Sequence, residues 1–226
     1  METTAVQFPS PRSVIAEMLG TFFLALTVGV SLLAAGSTGY EVLYVPMAIG
    51  LVIMMLVYTL GSVCGAHFNP AVSLGLLLVR KVTWQRAVVY IIAQIVGAVL
   101  GFAMVKYLMG VPPSAPAAIG MPAFIAEALG AFLIVFTVTR VVLGKVPEAA
   151  SGLLIGGTFV LAITISQFAS GGVLNPSLAL ALGGESLKLS SFWVVYVLGP
   201  IFGGLLGALL AVGFEGENTF LKKSAK

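Results

Sequence analysis

Two Asn-Pro steps, Asn69-Pro70-Ala71 and Asn175-Pro176-Ser177, interrupt an otherwise apolar sequence, and each follows a glycine-bearing stretch, Gly65-Ala66-His67-Phe68 or Gly171-Gly172-Val173-Leu174. Asparagine is a strong helix N-cap, and proline suits the first helical position, where its missing N–H would have had no helical partner. Each step therefore reads as a helix start in a place where a membrane helix should not start. A helix N-terminus carries roughly half a positive charge and several unpaired N–H groups. Such an end is costly in hydrocarbon unless it faces water or protein, so the pair points to a solute pathway. If each asparagine oxygen caps its own helix, both NH₂ groups stay free to donate to a passing molecule. The two positive ends oppose cations, and water that donates both protons outward cannot sustain a uniform proton wire.

Glu17 and Glu127 lie inside apolar runs, where an ionisable group implies a function or a partner. They read either as a proton-coupling pair or as buried acceptors for N–H groups of the two glycine-bearing stretches. Other chemistry is scarce: there is one histidine, His67, one cysteine, Cys64, and no aspartate. A single cysteine excludes an intrachain disulfide, and no nucleophile–base pair is recognisable, so the protein is not expected to be an enzyme. No cofactor and no metal is expected. His67 reads as a loop anchor with a satisfied side chain. Cys64, five residues before Asn69, reads as a packed thiol, the alternative being a pore-accessible one sensitive to mercurials.

The elements that must position these residues follow from composition. At 226 residues with 59% apolar and 8% charged side chains and 27 glycines, the chain is a membrane protein. Its net charge of +3 gives no support for nucleic-acid binding. A spanning helix needs about 20 apolar residues, and runs of that kind occupy 13–35, 43–63, 86–109, 122–143, 150–169 and 190–213. The first twelve residues lack the features of a cleaved signal peptide, so the first run is expected to remain as a span. The segments 70–79 and 176–182 are too short to cross and read as re-entrant half-helices.

The chain repeats itself. Ile15-Ala16-Glu17 and Ile125-Ala126-Glu127 open a shared Ile-Ala-Glu-x-Leu-Gly-x-Phe pattern 110 residues apart (125 − 15), and the Asn-Pro steps lie 106 apart (175 − 69), as do Tyr90, Gly97 and Gly101 from Tyr196, Gly203 and Gly207. Repeats at about 12–109 and 122–213 with three spans each enter the membrane from opposite sides, an inverted repeat. The fold expected is all-α and integral to the membrane, residues 1–226 forming a single channel domain of six transmembrane helices plus two re-entrant half-helices. Gly97-x-x-x-Gly101 and Gly203-x-x-x-Gly207 permit close helix crossings. With a cytoplasmic N-terminus, nine Lys and Arg residues (Arg12, Arg80, Lys81, Arg86, Arg140, Lys145, Lys222, Lys223, Lys226) fall inside and Lys106 and Lys188 outside, which sets the orientation. The Pro-rich segment 110–122 is expected to join the halves as an outside loop.

The two Asn-Pro motifs at matching repeat positions, the paired glutamates and Gly65-Ala66-His67-Phe68 together resemble the aquaporin and aquaglyceroporin (major intrinsic protein) family over nearly the whole chain. The resemblance implies a right-handed bundle, a homotetramer of separate pores in a lipid bilayer, and small neutral permeants. It also implies a ladder of backbone carbonyl acceptors at Gly65, Ala66, His67, Gly171, Gly172 and Val173, and it favours Glu17 and Glu127 as loop supports. Most members carry an arginine directly after the second motif as part of a constriction; here Leu178 stands there. The family pattern puts the other constriction positions at Ile49, Ile163 and Gly172, so the selectivity filter has no charge, aromatic ring or polar side chain. A wide apolar constriction favours ammonia, hydrogen peroxide, dissolved gases or small polyols, with water passing less efficiently; a narrow one is a hydrophobic gate. The alternatives are an ion-coupled secondary transporter and an occluded structural relative. The compact chain suggests a prokaryotic cytoplasmic membrane.

Overall fold

The structure, a computed structural model, describes residues 8–35, 41–113 and 117–215, and every regular element among them is helical. Six long apolar helices, α1 Pro11–Ala35, α2 Glu41–Cys64, α4 Trp84–Met109, α5 Met121–Val142, α6 Ser151–Ser170 and α8 Ser190–Gly213, alternate with two short ones, α3 Pro70–Leu78 and α7 Pro176–Leu182. The six expected spans match the long helices to within two residues at each end, because length and apolarity are local properties of the sequence. Lys222, Lys223 and Lys226 lie outside the described residues.

The short helices begin where the Asn-Pro steps place them. Asn69 and Asn175 hold extended backbone at the N-cap, and their Oδ1 atoms accept from Ala71 N at 2.9 Å and Ser177 N at 3.0 Å. With nine and seven residues, α3 and α7 cover less than half of a ~30 Å hydrocarbon core at ~1.5 Å per residue.

Within the first half α1 packs between α2 and α4; within the second, α5 packs between α6 and α8; and α2 meets α6 across the halves. The half-helices interlock the two units, since α3 is seated mainly on α8 and α7 mainly on α4. These contacts need bare backbone. A Cβ on Gly97 would stand 2.3 Å from Met18 O, and one on Gly203 only 1.8 Å from Ala128 O. At the α2–α6 crossing Gly50 and Gly156 face each other, a Cβ on either falling within 2.7 Å of the other's carbonyl oxygen. Large apolar side chains such as Leu51, Ile92, Leu153 and Phe168 are exposed on the outer faces of the long helices, where a bilayer would cover them. The interior holds Glu17, Gln94 and Glu127 with no exposed area. The loop between the halves is tied down by Ala118 N, which donates to Tyr196 Oη at 3.0 Å.

Candidate functional site

Between α2 and α3, and again between α6 and α7, the chain must stop one helix and start another inside the bundle. It does so with left-handed backbone: φ is +89° at Gly65, +51° at Ala66 and +47° at Phe68, and +88° at Gly171, +64° at Gly172 and +54° at Leu174. Glycine takes this conformation freely, whereas a side-chain-bearing residue is strained by roughly 1–2 kcal/mol. Ala66, Phe68 and Leu174 are therefore held there by their surroundings.

Two carboxylates do much of the holding. Glu17 Oε1 accepts from His67 N and Oε2 from Phe68 N, both at 2.8 Å, and Oε2 also accepts from Gln94 Nε2 at 2.8 Å. Glu127 Oε1 accepts from Val173 N at 2.9 Å and Ser170 Oγ at 2.7 Å, while Oε2 accepts from Leu174 N at 2.6 Å. Tyr90 and Tyr196 donate to the carbonyls of Cys64 and Ser170, each at 2.9 Å, fixing the last turns of α2 and α6. The Phe68 ring lies over Gly20 and the Leu174 side chain over Gly130, where added Cβ atoms would come within 2.1 and 2.5 Å of them. The glycine of each Ile-Ala-Glu-x-Leu-Gly segment is thus the seat for the residue preceding its asparagine.

The asparagines meet in the middle. Asn69 Nδ2 donates to Leu174 O and Asn175 Nδ2 to Phe68 O, both at 2.9 Å, so each loop is tied to the other by a reciprocal pair. This corrects the expectation that both NH₂ groups stay wholly free. An amide NH₂ has two donors, and one of each is committed to the opposite loop.

Two cavities border the loops. One of about 150 Å³ is lined by Gly171, Gly172, Val173, Leu174 and Asn175, and all four positions expected at the constriction, Ile49, Ile163, Gly172 and Leu178, also line it. The other, about 270 Å³, is lined by Gly65 and Ala66 together with residues of α2, α5 and α6. Five of the six residues expected to offer carbonyls thus border a cavity. His67 borders neither: its Nδ1 is 2.9 Å from Ser73 Oγ and its ring meets Tyr90 edge-on at 5.1 Å. Cys64 is buried and borders neither cavity, its Sγ accepting from Ala66 N at 3.3 Å and donating to Leu60 O at 3.4 Å. Among the described residues no three His, Cys, Asp or Glu side chains converge as metal ligands would.

Sequence reasoning missed Gln94 and Ser170 as partners of the carboxylates, and the carbonyls of Phe68 and Leu174 as partners of the asparagines. Tyr90 and Tyr196 were visible as repeat markers, and their spacing of 106 residues was the available signal.

Comparison with known proteins agrees with this architecture. The family model described as Major intrinsic protein matches residues 2–211. A glycerol uptake facilitator protein-like 6 from Lactiplantibacillus plantarum is 35% identical over 213 residues, covering 88% of this chain and 96% of the relative. Aquaporin NIP1-1 of Oryza sativa subsp. japonica is 31% identical over 215 residues, covering 90% and 74%. Among solved structures, the aquaglyceroporin from Plasmodium falciparum superposes with a TM-score of 0.68 at 22% identity, over 91% of this chain and 95% of that one.

Proposed function

The chain belongs to the major intrinsic protein family, and we propose that it is a passive channel whose apolar constriction passes small neutral solutes such as ammonia, hydrogen peroxide, dissolved gases and small polyols more readily than water. The observation that carries this reading is the cavity of about 150 Å³ in which Ile49, Ile163, Gly172 and Leu178 meet without a polar side chain among them. A solute leaving bulk water at that point loses hydrogen bonds and gains none from those four residues' side chains. An arginine in place of Leu178 would offer up to five donors; without it, molecules with a small desolvation penalty are favoured over those with a large one.

Beyond the constriction the permeant meets the uncommitted N–H of Asn69 and Asn175 and the loop carbonyls of Gly65, Ala66, Gly171, Gly172 and Val173. The N-terminal ends of α3 and α7 oppose cations there. Glu17 and Glu127 act as loop supports: each has both oxygens occupied by hydrogen bonds from the loop that it holds, which disfavours ion-coupled transport. The proposal extends to a single channel domain in a homotetramer, with cytoplasmic termini in a prokaryotic cytoplasmic membrane. Arg80, Lys81, Arg86, Arg140 and Lys145 at one end of the bundle, against Lys106 and Lys188 at the other, support the orientation.

The test is stopped-flow light scattering on proteoliposomes with water, glycerol and urea, beside ammonia uptake. The native chain is expected to conduct ammonia and small polyols, and Leu178→Arg to raise water flux relative to them. Water flux in the native chain at the rate of an orthodox water channel, unchanged by Leu178→Arg, would overturn the reading of the constriction.

A further inference from the structure

At the end of the bundle that carries the N-terminus, three cations surround one concavity away from the pore. Arg80 and Lys81 occupy the turn between α3 and α4, and Arg86 lies in the first turn of α4; together with Phe8, Leu77 and Thr83 they line an open pocket of about 460 Å³. Among the described residues, ion pairs engage Arg140, Lys145 and Lys188 but none of these three. Glu17, the carboxylate of α1, does not line the pocket: it is fully buried and bound to the first loop. The Arg86 guanidinium lies 5.6 Å from the centroid of the Tyr90 ring, a contact that orients the group and leaves its charge in place. Like charges around a concavity repel one another unless an anion lies between them.

The backbone at Arg80 is one that glycine would adopt more freely. Arg80 N donates to Leu77 O at 3.0 Å and Lys81 N to Leu76 O at 2.8 Å, a closing turn that sets Arg80 at φ +57°. The same turn closes α5, where Gly144 N donates to Val141 O at 2.9 Å and Lys145 N to Arg140 O at 3.0 Å, and there the left-handed position, φ +70°, is a glycine. Arginine at that position is sterically worse than glycine. Phe8, which lines the pocket, and Trp84, which follows the lining residue Thr83 at the start of α4, are both more than 60% exposed, and aromatic side chains of this kind are enriched at membrane–water interfaces.

We propose that this pocket binds the phosphodiester headgroup of an anionic phospholipid, with Arg80, Lys81 and Arg86 as the cationic ligands and Phe8 and Trp84 against the adjoining acyl region. The site is separate from the solute pathway and stands whichever solute the channel carries. Native mass spectrometry of the full-length protein in detergent, with phosphatidylglycerol, phosphatidylcholine or inorganic phosphate added, tests it. Phosphatidylglycerol is expected to bind in preference to phosphatidylcholine. Arg80→Gly is expected to leave the thermal transition unchanged or raised while weakening phosphatidylglycerol binding about fivefold, and the triple variant Arg80→Gly/Lys81→Gln/Arg86→Gln to weaken it roughly a hundredfold. Equal affinity for the two lipids, or undiminished phosphatidylglycerol binding in Arg80→Gly, overturns the proposal. Displacement of the lipid by millimolar inorganic phosphate also overturns it, because the site would then be one for a free phosphate.

Discussion

The loop before Asn69 and the loop before Asn175 solve one problem with different side chains. In each, a carboxylate from the first span of its half takes two consecutive loop N–H groups, and a tyrosine secures the carbonyl that ends the preceding span. The third donor to the carboxylate differs. Glu17 receives Gln94 Nε2 from α4, whereas Glu127 receives Ser170 Oγ from the end of α6. The repeat position of Gln94 is held in the second half by Pro200, and that of Ser170 in the first half by Cys64. Proline supplies neither a side-chain donor nor an N–H. Just before it α8 widens into a π turn over Val194–Leu198, with Gly199 N reaching back to Val194 O. The comparison teaches that the clamp of one carboxylate on two N–H groups is the required part and the third donor is exchangeable. Gln94 also donates to Ser73 Oγ at 3.1 Å, which in turn contacts His67, so α3 is fastened to α4 by polar side chains. The matching second-half positions are Ala179 and Val173, and apart from Asn175 the cavity there is bordered by apolar side chains and backbone. The chemistry proposed for the constriction depends on that difference.

The largest effect is expected from removing the shared part. Glu17→Leu and Glu127→Leu each leave two loop N–H groups without an acceptor, both buried in the first loop and one buried and one part-buried in the second, at about 1–3 kcal/mol per group. Each is expected to lower stability by about 2–6 kcal/mol, read as loss of the folded fraction in detergent thermal melts. A large loss for one and none for the other would break the equivalence of the two clamps. The third donors come next. Ser170→Ala removes a donor from Glu127 and strips Gly172 N of its acceptor, contacts of 2.7 and 3.1 Å, so a cost of roughly 2–3 kcal/mol is expected. Gln94→Leu also removes two hydrogen bonds, but it deletes a buried Oε1 that has no partner, so its cost should be smaller, roughly 1 kcal/mol. The reverse order in the same melts would mean that the first loop, and not the second, depends more on its third donor.

How much of this was legible in the sequence follows the range of each signal. The asparagine caps, the proline at each helix start and the six apolar runs are local, and they located α3, α7 and the spans closely. The paired glutamates were legible because the repeat placed them twice in the same apolar setting. The reciprocal bonds from Asn69 to Leu174 O and from Asn175 to Phe68 O join residues more than a hundred apart and leave no local mark, so one N–H of each amide was wrongly expected to be free. Gln94 and Ser170 escaped because the repeat pairs them with Pro200 and Cys64; the halves share a task there and not a residue type. Gly20 and Gly130 stood in plain view within the repeated segment, yet what presses on them is set by left-handed backbone at Phe68 and Leu174, which alanine-like propensities do not announce.

A smaller effect isolates the helix that carries the difference. Pro200→Ala restores an N–H to the interior of α8 and removes the ring that crowds the preceding turn. Because the π turn already accommodates the proline, the gain in stability should be under about 1 kcal/mol. Slower amide exchange over Val194–Leu198 would still register the change. No change in exchange would mean that packing against α5, and not Pro200, sets the π turn.

The smallest effect lies where the halves end. Arg140 Nη1 donates to Ala211 O at 3.1 Å and pairs with Glu215, and Lys145 pairs with the same carboxylate, joining the ends of α5 and α8. The first half has Val30 and Met109 at the corresponding repeat positions, so α1 and α4 lack this link. Lys145 chiefly, then Arg140, hold the Glu215 carboxyl below the usual carboxylate range. A carboxylate whose folded pKa is depressed contributes stability above its unfolded pKa and loses it as pH falls through the folded value. The thermal midpoint of the native chain should therefore exceed that of Glu215→Gln slightly at neutral pH, and the gap should close only below the ordinary carboxylate range and shrink with added salt. A gap that widens on acidification would mean that Glu215 is held by something other than its two cations, and the ionic link could no longer distinguish the second helix pair from the first.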